Sequence, residues 1–319
     1  MNPVGSFMDY IRSERRYSAH TISNYGRDIA SLLGFLGVSE EDFDPSAVTA
    51  DDIRKWIVSL SGDGLSNSTI NRGISSTGSM FRYFMKKGWI VKNPFQRVTA
   101  LKTPGKLPVY ITENKMGRIV EELLGGDGKG GFKSSRDALV VLFLYSTGIR
   151  LAELIDIDRD DFMNGHTKLI VHGKGDKDRV VPVIPLLKNK ILAYTALIKE
   201  LNICKSGEKA LFLTEKGERI SRTEVYRIVN EKLETMGVHG KRSPHVLRHT
   251  FATHLLNSGA DIREIQELLG HTSLRATQVY THNSIAKLQE AYNDAHPRAR
   301  KYNNNTGAVI VPAPKNKED

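Results

Sequence analysis

Through most of the first hundred residues, apolar positions recur every three or four residues and almost never alternate in strict pairs. That period belongs to helices packed on one face. Tyr25, Ile29, Leu32, Leu33 and Leu36 follow Ser18, so a helix runs from Ser18 to about Gly37. Thr49 caps a second helix through Ile53, Trp56, Ile57 and Leu60, which Gly62 and Gly64 close. Ser66 opens a third, in which Ile70, Ile74, Met80, Phe81, Tyr83 and Phe84 recur until Gly88. Two prolines, a glycine and basic residues in Lys102–Pro108 then break the pattern as a linker does.

Beyond the linker the periods mix. Ser134 or Ser135 starts a buried helix through Leu139, Leu142 and Leu144, which Thr147-Gly148 ends. Thr167 to His172 and Arg179 to Ile184 read as two strands, joined by residues 173–178 into a hairpin. Ser221 with Glu224, and Asp261 with Glu264, have capping-box spacing. Ser243-Pro244 supplies an N-cap and a first-turn proline for a helix from His245 to Asn257. Gly259 and Gly270 suit helix C-termini. The chain is therefore expected to be mainly α with a small antiparallel β-sheet (α+β). Its expected parts are a helical domain over 1–102, a linker over 103–110, a second domain over 111–302 and a disordered tail over 303–319. No internal repeat is visible.

Charge changes this picture. The 319 residues carry Lys+Arg 46 against Asp+Glu 36, a net +10. The excess is uneven: residues 1–51 hold net −4 and residues 52–110 net +8, so one part of the first domain is a candidate phosphate-facing surface. The hydrophobic share of 39% fills a core and excludes a wholly disordered chain. Cys204 is the single cysteine, which excludes an intrachain disulfide framework. The longest apolar run, Ala138 to Tyr145, is far short of the ~20 residues that cross a bilayer, and charges interrupt the first thirty residues. A cytoplasmic protein without membrane contact is expected.

The candidate chemistry lies in the second domain. Arg150 follows the buried helix directly, where a guanidinium needs an anionic partner; Glu153 and Asp156 are the nearby choices. Lys174 sits between two glycines at the hairpin tip, and His245 and Arg248 project from nearly one helix face. His271 follows Gly270, and Tyr280 ends the next short helical segment. Each residue alone has an ordinary structural reading. Together they compose a cation-rich pocket with a phenolic nucleophile, whose natural occupant is a phosphodiester gripped by arginines.

At these positions the sequence resembles the tyrosine recombinase (integrase) family. The motifs stand as Thr147-Gly148-Ile149-Arg150, Gly173-Lys174-Gly175, His245-Val246-Leu247-Arg248-His249, Leu269-Gly270-His271 and Tyr280. The resemblance implies a two-domain, C-shaped DNA clamp, made of a helical SAM-like core-binding domain and a catalytic domain. It also implies a catalytic set of Arg150, Lys174, His245, Arg248, His271 and Tyr280, with Glu153 and His249 in support. Tyr280 would form a covalent 3′-phosphotyrosyl link, with no metal and no cofactor. The short helical first domain and the ending Ala295-His296-Pro297-Arg298-Ala299 look like the Xer group, in its XerC form more than its XerD form. That implies chromosome dimer resolution at a specific site in double-stranded DNA by a tetramer, with a second Xer-type recombinase and a septal, FtsK-type DNA translocase as candidate partners. Ile285, Leu288 and Tyr292 form a stripe expected to dock on a neighbouring subunit. An integrase of a mobile element shares the same set, and a type IB topoisomerase or a DNA-binding regulator without catalysis are the remaining alternatives.

Overall fold

The computed structural model describes residues 2–103, 109–125, 131–173 and 177–270. Lys174, His271, Tyr280, the 285–292 stripe and the tail lie outside the described residues. The chain divides into two compact units, Met1–Lys106 and Leu107–Asp319.

The first unit is four helices: α1 (Pro3–Ser13), α2 (Ala19–Leu36), α3 (Ala50–Gly62) and α4 (Asn67–Lys86). The expected caps hold. Ser18 and Ser66 each accept from the amide three residues on, and Thr49 makes a full capping box with Asp52. Gly37 closes α2 in the left-handed conformation, at φ 70°. Helix α1 was not expected from the pattern, yet its logic is simple. Asn2 caps it, Pro3 sits in its first turn, and Val4, Phe7 and Ile11 bury one face. Inside the core, Asp28 on α2 accepts from Arg72 at 2.8 and 3.2 Å and from Ser76 at 2.8 Å, both on α4. Asn71 then holds both backbone groups of Leu101 at 2.8 Å, which ties the approach to the linker back onto α4.

The second unit is built around α6 (Gly131–Thr147), which is buried along most of its length. It is flanked by α5 (Glu113–Gly125), α8 (Pro185–Glu200), α9 (Arg222–Thr235) and α10 (Pro244–Asn257). Short helices α7 (Leu151–Asp156) and α11 (Ile262–Leu269) complete it, with an antiparallel sheet in the order β1 (Phe162–Met163), β2 (Lys168–Gly173), β3 (Lys177–Pro182). The mainly helical architecture with a small antiparallel sheet is as expected. Among the described residues no helix is long and apolar enough to cross a membrane.

Several local expectations need correction. Helix α6 begins at Gly131, ahead of Ser134. Strand β3 begins at Lys177, because the ladder extends to a Gly173–Lys177 pair and ends where Pro182 faces Lys168. Neither of the two capping boxes expected from the sequence closes. Ser221 accepts from the Glu224 amide, but the Glu224 carboxylate is drawn to Arg136, 2.9 Å away and fully buried. Asp261 accepts from Arg263, at 2.6 Å, rather than from Glu264. Ser243 stands at the N-cap of α10 without a capping hydrogen bond from its side chain.

One polar clamp fixes α10, the helix carrying His245 and Arg248. The Ile111 amide donates to Thr250 at 3.0 Å, and Nε2 of His254 lies 2.8 Å from the Ile111 carbonyl. A carbonyl only accepts, so Nε2 carries the proton and Nδ1 accepts from the Tyr145 hydroxyl at 2.9 Å. Burial pushes the His254 pKa down, which keeps this ring neutral.

Candidate active site

The site starts at the end of α6. Gly148 takes φ +61° and turns the chain abruptly; a Cβ there would lie 2.2 Å from Phe251 and 2.9 Å from Leu269. Only glycine fits both the backbone and the space. Two residues later Arg150 is the N-cap of α7, and Glu153 reaches back to accept from its backbone amide at 2.7 Å and from its Nη1 at 2.8 Å. Of the two partners open to Arg150 in the sequence, Glu153 is the one used.

Opposite this turn, three consecutive carbonyls at the C-terminal end of α11 each accept from an arginine of a different element. Leu268 accepts from Nε of Arg179 at 2.8 Å, Leu269 from Arg248 at 2.7 Å, and Gly270 from Arg150 at 2.7 Å. Arg248 also donates to the Gly148 carbonyl, at 2.6 Å. The negative end of the α11 dipole thus gathers three guanidiniums. Gly270 lets them close in: a Cβ there would be 3.0 Å from Arg179 and 3.3 Å from Arg150.

The electrostatics follow from this crowding. Glu153, 7% exposed, is the carboxylate that the Arg150 and Arg179 guanidiniums share. Burial opposes its ionisation, yet Arg179 and then Arg150 overcome it and hold the pKa at about 2. Burial, then the charges of Arg150 and Arg179, push Arg248 down to about 10. His245 is lowered too, first by partial enclosure of its ring and then by Lys241, Arg248 and Arg222.

Arg150, Glu153 and Arg248 meet around Gly148 and the end of α11, and His245, exposed at the start of α10, lies within the field of Arg248. His249 is turned elsewhere, meeting Tyr110 edge to face at a centroid distance of 6.4 Å. Arg179 joins this cluster from outside the set of residues expected from the sequence. The signal was there in strand period: Arg179 shares a face with Val181 and pairs with Val171, and both valines are buried. An arginine in an inward-facing stripe must have a buried partner, here Glu153 at 2.7 and 2.9 Å.

Comparison with known proteins agrees with this geometry. The phage integrase family matches residues 110–287, and the phage integrase N-terminal SAM-like domain matches residues 4–88. The tyrosine recombinase XerC of Thermodesulfovibrio yellowstonii is 36% identical over 300 residues, covering 93% of this chain and 97% of its own. XerC of Alcanivorax borkumensis is 34% identical, covering 94% of this chain and 95% of its own. In fold the chain is similar to the XerH site-specific recombinase bound to palindromic difH substrate, with TM-score 0.66, 22% identity, and 88% and 81% of the two chains covered. It is likewise similar to a lambda integrase dimer bound to a COC′ core site, with TM-score 0.63, 18% identity, and coverage of 86% and 98%. Matched in both domains and over a third identical to a XerC recombinase along nearly its whole length, the chain belongs to the phage integrase family of tyrosine recombinases, enzymes that cut and rejoin DNA by transesterification.

Proposed function

We propose that the chain is a Xer-type site-specific recombinase that exchanges strands of double-stranded DNA through a 3′-phosphotyrosyl intermediate. The observation that carries this reading is the group of three guanidiniums gathered on consecutive carbonyls at the end of α11, two of which share the carboxylate of Glu153. Such a cluster retains positive charge for a phosphodiester and for the further charge that gathers on its non-bridging oxygens during attack. Arg150 and Arg248 are assigned to those oxygens. Both use part of their donor set to stay fixed on backbone carbonyls, so little reorganisation accompanies the reaction.

In the cleavage step Tyr280 Oη forms a bond to phosphorus and the bond to O5′ breaks. Lys174 protonates the departing oxygen, and His271 adds a donor to the phosphate. His245, lowered in pKa and so neutral near pH 7, is suited to accept the tyrosine proton. One phosphodiester replaces another at nearly equal energy, so the step needs no cofactor. Attack by a 5′-hydroxyl from the second duplex reverses the chemistry with strands exchanged. The role assigned to it is resolution of chromosome dimers in the cytoplasm, a reading that its likeness to tyrosine recombinases XerC supports. A tetramer would act there, with a second Xer-type recombinase and a septal DNA translocase as partners.

The test is exchange between two labelled duplexes carrying a site selected from random DNA. Recombinant products are expected. Religation of the original strands alone would identify a topoisomerase, and a selected site matching a mobile-element end would replace the Xer role with integration.

A further inference from the structure

Arg179 stands apart from the residues assigned so far. It is a strand residue, 10% exposed, at a register otherwise filled by valines. Burying a guanidinium there is costly unless its partners are good. Its partners are unusually complete. Nη1 and Nη2 reach the two oxygens of Glu153 at 2.9 and 2.7 Å, and Nε reaches the Leu268 carbonyl at 2.8 Å. The fork therefore joins β3, α7 and α11 at one point. An apolar side chain would serve packing at this register with no desolvation cost, so the charge needs its own explanation.

Glu153 supplies one. Its carboxylate also takes the Arg150 amide and Nη1, so Arg150 and Arg179 compete for one negative charge. With Arg179 present, two guanidiniums share one carboxylate and this trio retains one positive charge. Without it, Glu153 is left to Arg150 alone, and that pair is close to neutral toward a phosphodiester. We infer that Arg179 is a positioning residue for DNA cleavage: by taking up the charge of Glu153 and holding the end of α11, it keeps Arg150 oriented and electrostatically available to the scissile phosphate. The inference rests on the recombinase reading of this site. Arg179 acts through Glu153 and Arg150, and it need not touch DNA.

This makes the effects of Arg179 and Glu153 interdependent, which a purely structural strand residue would not show. The experiment measures covalent adduct formation on a nicked suicide duplex at saturating protein, together with DNA affinity and thermal unfolding of the second unit. Arg179→Met should slow adduct formation at least about 30-fold while changing the Kd less than about threefold. In the Glu153→Gln background the same substitution should slow it less than about threefold, because no buried carboxylate remains to be neutralised. Equal losses in both backgrounds, or a wild-type rate for Arg179→Met, would overturn the inference. If the unpaired carboxylate unfolds the Arg179→Met protein, Arg179→Lys takes its place, since it keeps the charge and loses the fork. Measured against the Arg179 protein of the same background, Arg179→Lys should then slow adduct formation less than about tenfold in both backgrounds, and a greater loss would contradict the inference. Absence of adduct with the wild-type protein would instead count against the recombinase reading itself.

Discussion

Gly148→Ala offers the sharpest structural test of how the arginines are placed. The new Cβ would meet two penalties. Holding an L-residue at φ +61° costs ~1–2 kcal/mol. The overlap, 2.2 Å to one ring carbon of Phe251 and 2.9 Å to Leu269, forces two buried side chains to move, at ~1–3 kcal/mol. The second unit should therefore lose about 2–5 kcal/mol, or roughly 4–20 °C in Tm at ~2–4 °C per kcal/mol for a domain of this size. Gly259→Ala separates the two costs. Its φ of +85° is also left-handed, but no atom of the described residues lies within 4 Å of the new Cβ, so the ~1–2 kcal/mol of strain is the cost expected. Circular dichroism follows both units, whereas the two tryptophans, Trp56 and Trp89, lie in the first. The fluorescence transition should stay in place while the circular dichroism transition of the second unit falls. Because Phe251 is three residues from Arg248 on α10, and the Gly148 carbonyl accepts from Arg248, cleavage should fall further than DNA affinity. A shift no larger than that of Gly259→Ala would refute the close-packing account of this turn.

The other predictions concern charge and proton transfer. Arg150→Ala and Arg248→Ala should each slow single-turnover cleavage ~10²–10³-fold, the cost of one lost oxyanion donor, while a gel-shift Kd changes less than about tenfold; equal losses in both would make them plain backbone contacts. Lys174→Ala should cleave ordinary DNA slowly but recover when the leaving oxygen is replaced by sulfur, which departs without protonation; an equal deficit on the 5′-thiol substrate would remove Lys174 as general acid. Glu153 is held below its ordinary 4.5, at about 2, so its contribution to stability is complete above pH 4.5 and is lost as pH falls toward 2. Between pH 5 and pH 3 that loss is about 2 kcal/mol in urea unfolding of the second unit, and Glu153→Gln should lack this component; the same pH dependence in the variant would show that Glu153 is not its source.

The sequence made the site legible where chemistry and backbone coincide. Gly148 marks a turn that only glycine fits, and Arg150 follows it into an N-cap whose N3 residue is its own counter-ion. Helix starts were readable from Ser18, Thr49 and Ser66 because a cap is a local event settled within three residues. The expectation failed where a distant partner decides. Glu224 has capping-box spacing but turns to Arg136, a residue far off in sequence and buried against it. Arg179 looked like the first residue of a strand, yet its meaning depends on which β2 residue it faces and on Glu153 approaching from α7. His249 adjoins Arg248 in the motif but sits a step round the helix, against Tyr110. Adjacency in sequence does not carry a side chain to the same face.

The central claim is that Tyr280 attacks DNA inside the field of this arginine cluster. Its most direct test is incubation of the protein with a nicked suicide duplex, followed by denaturing electrophoresis and mass mapping of the DNA-linked peptide. A stable adduct at the 3′-phosphate, mapped to Tyr280, is expected, and a Tyr280→Phe protein should bind the duplex with unchanged affinity and form none. An adduct on another residue, or one formed by Tyr280→Phe at the wild-type rate, would contradict it.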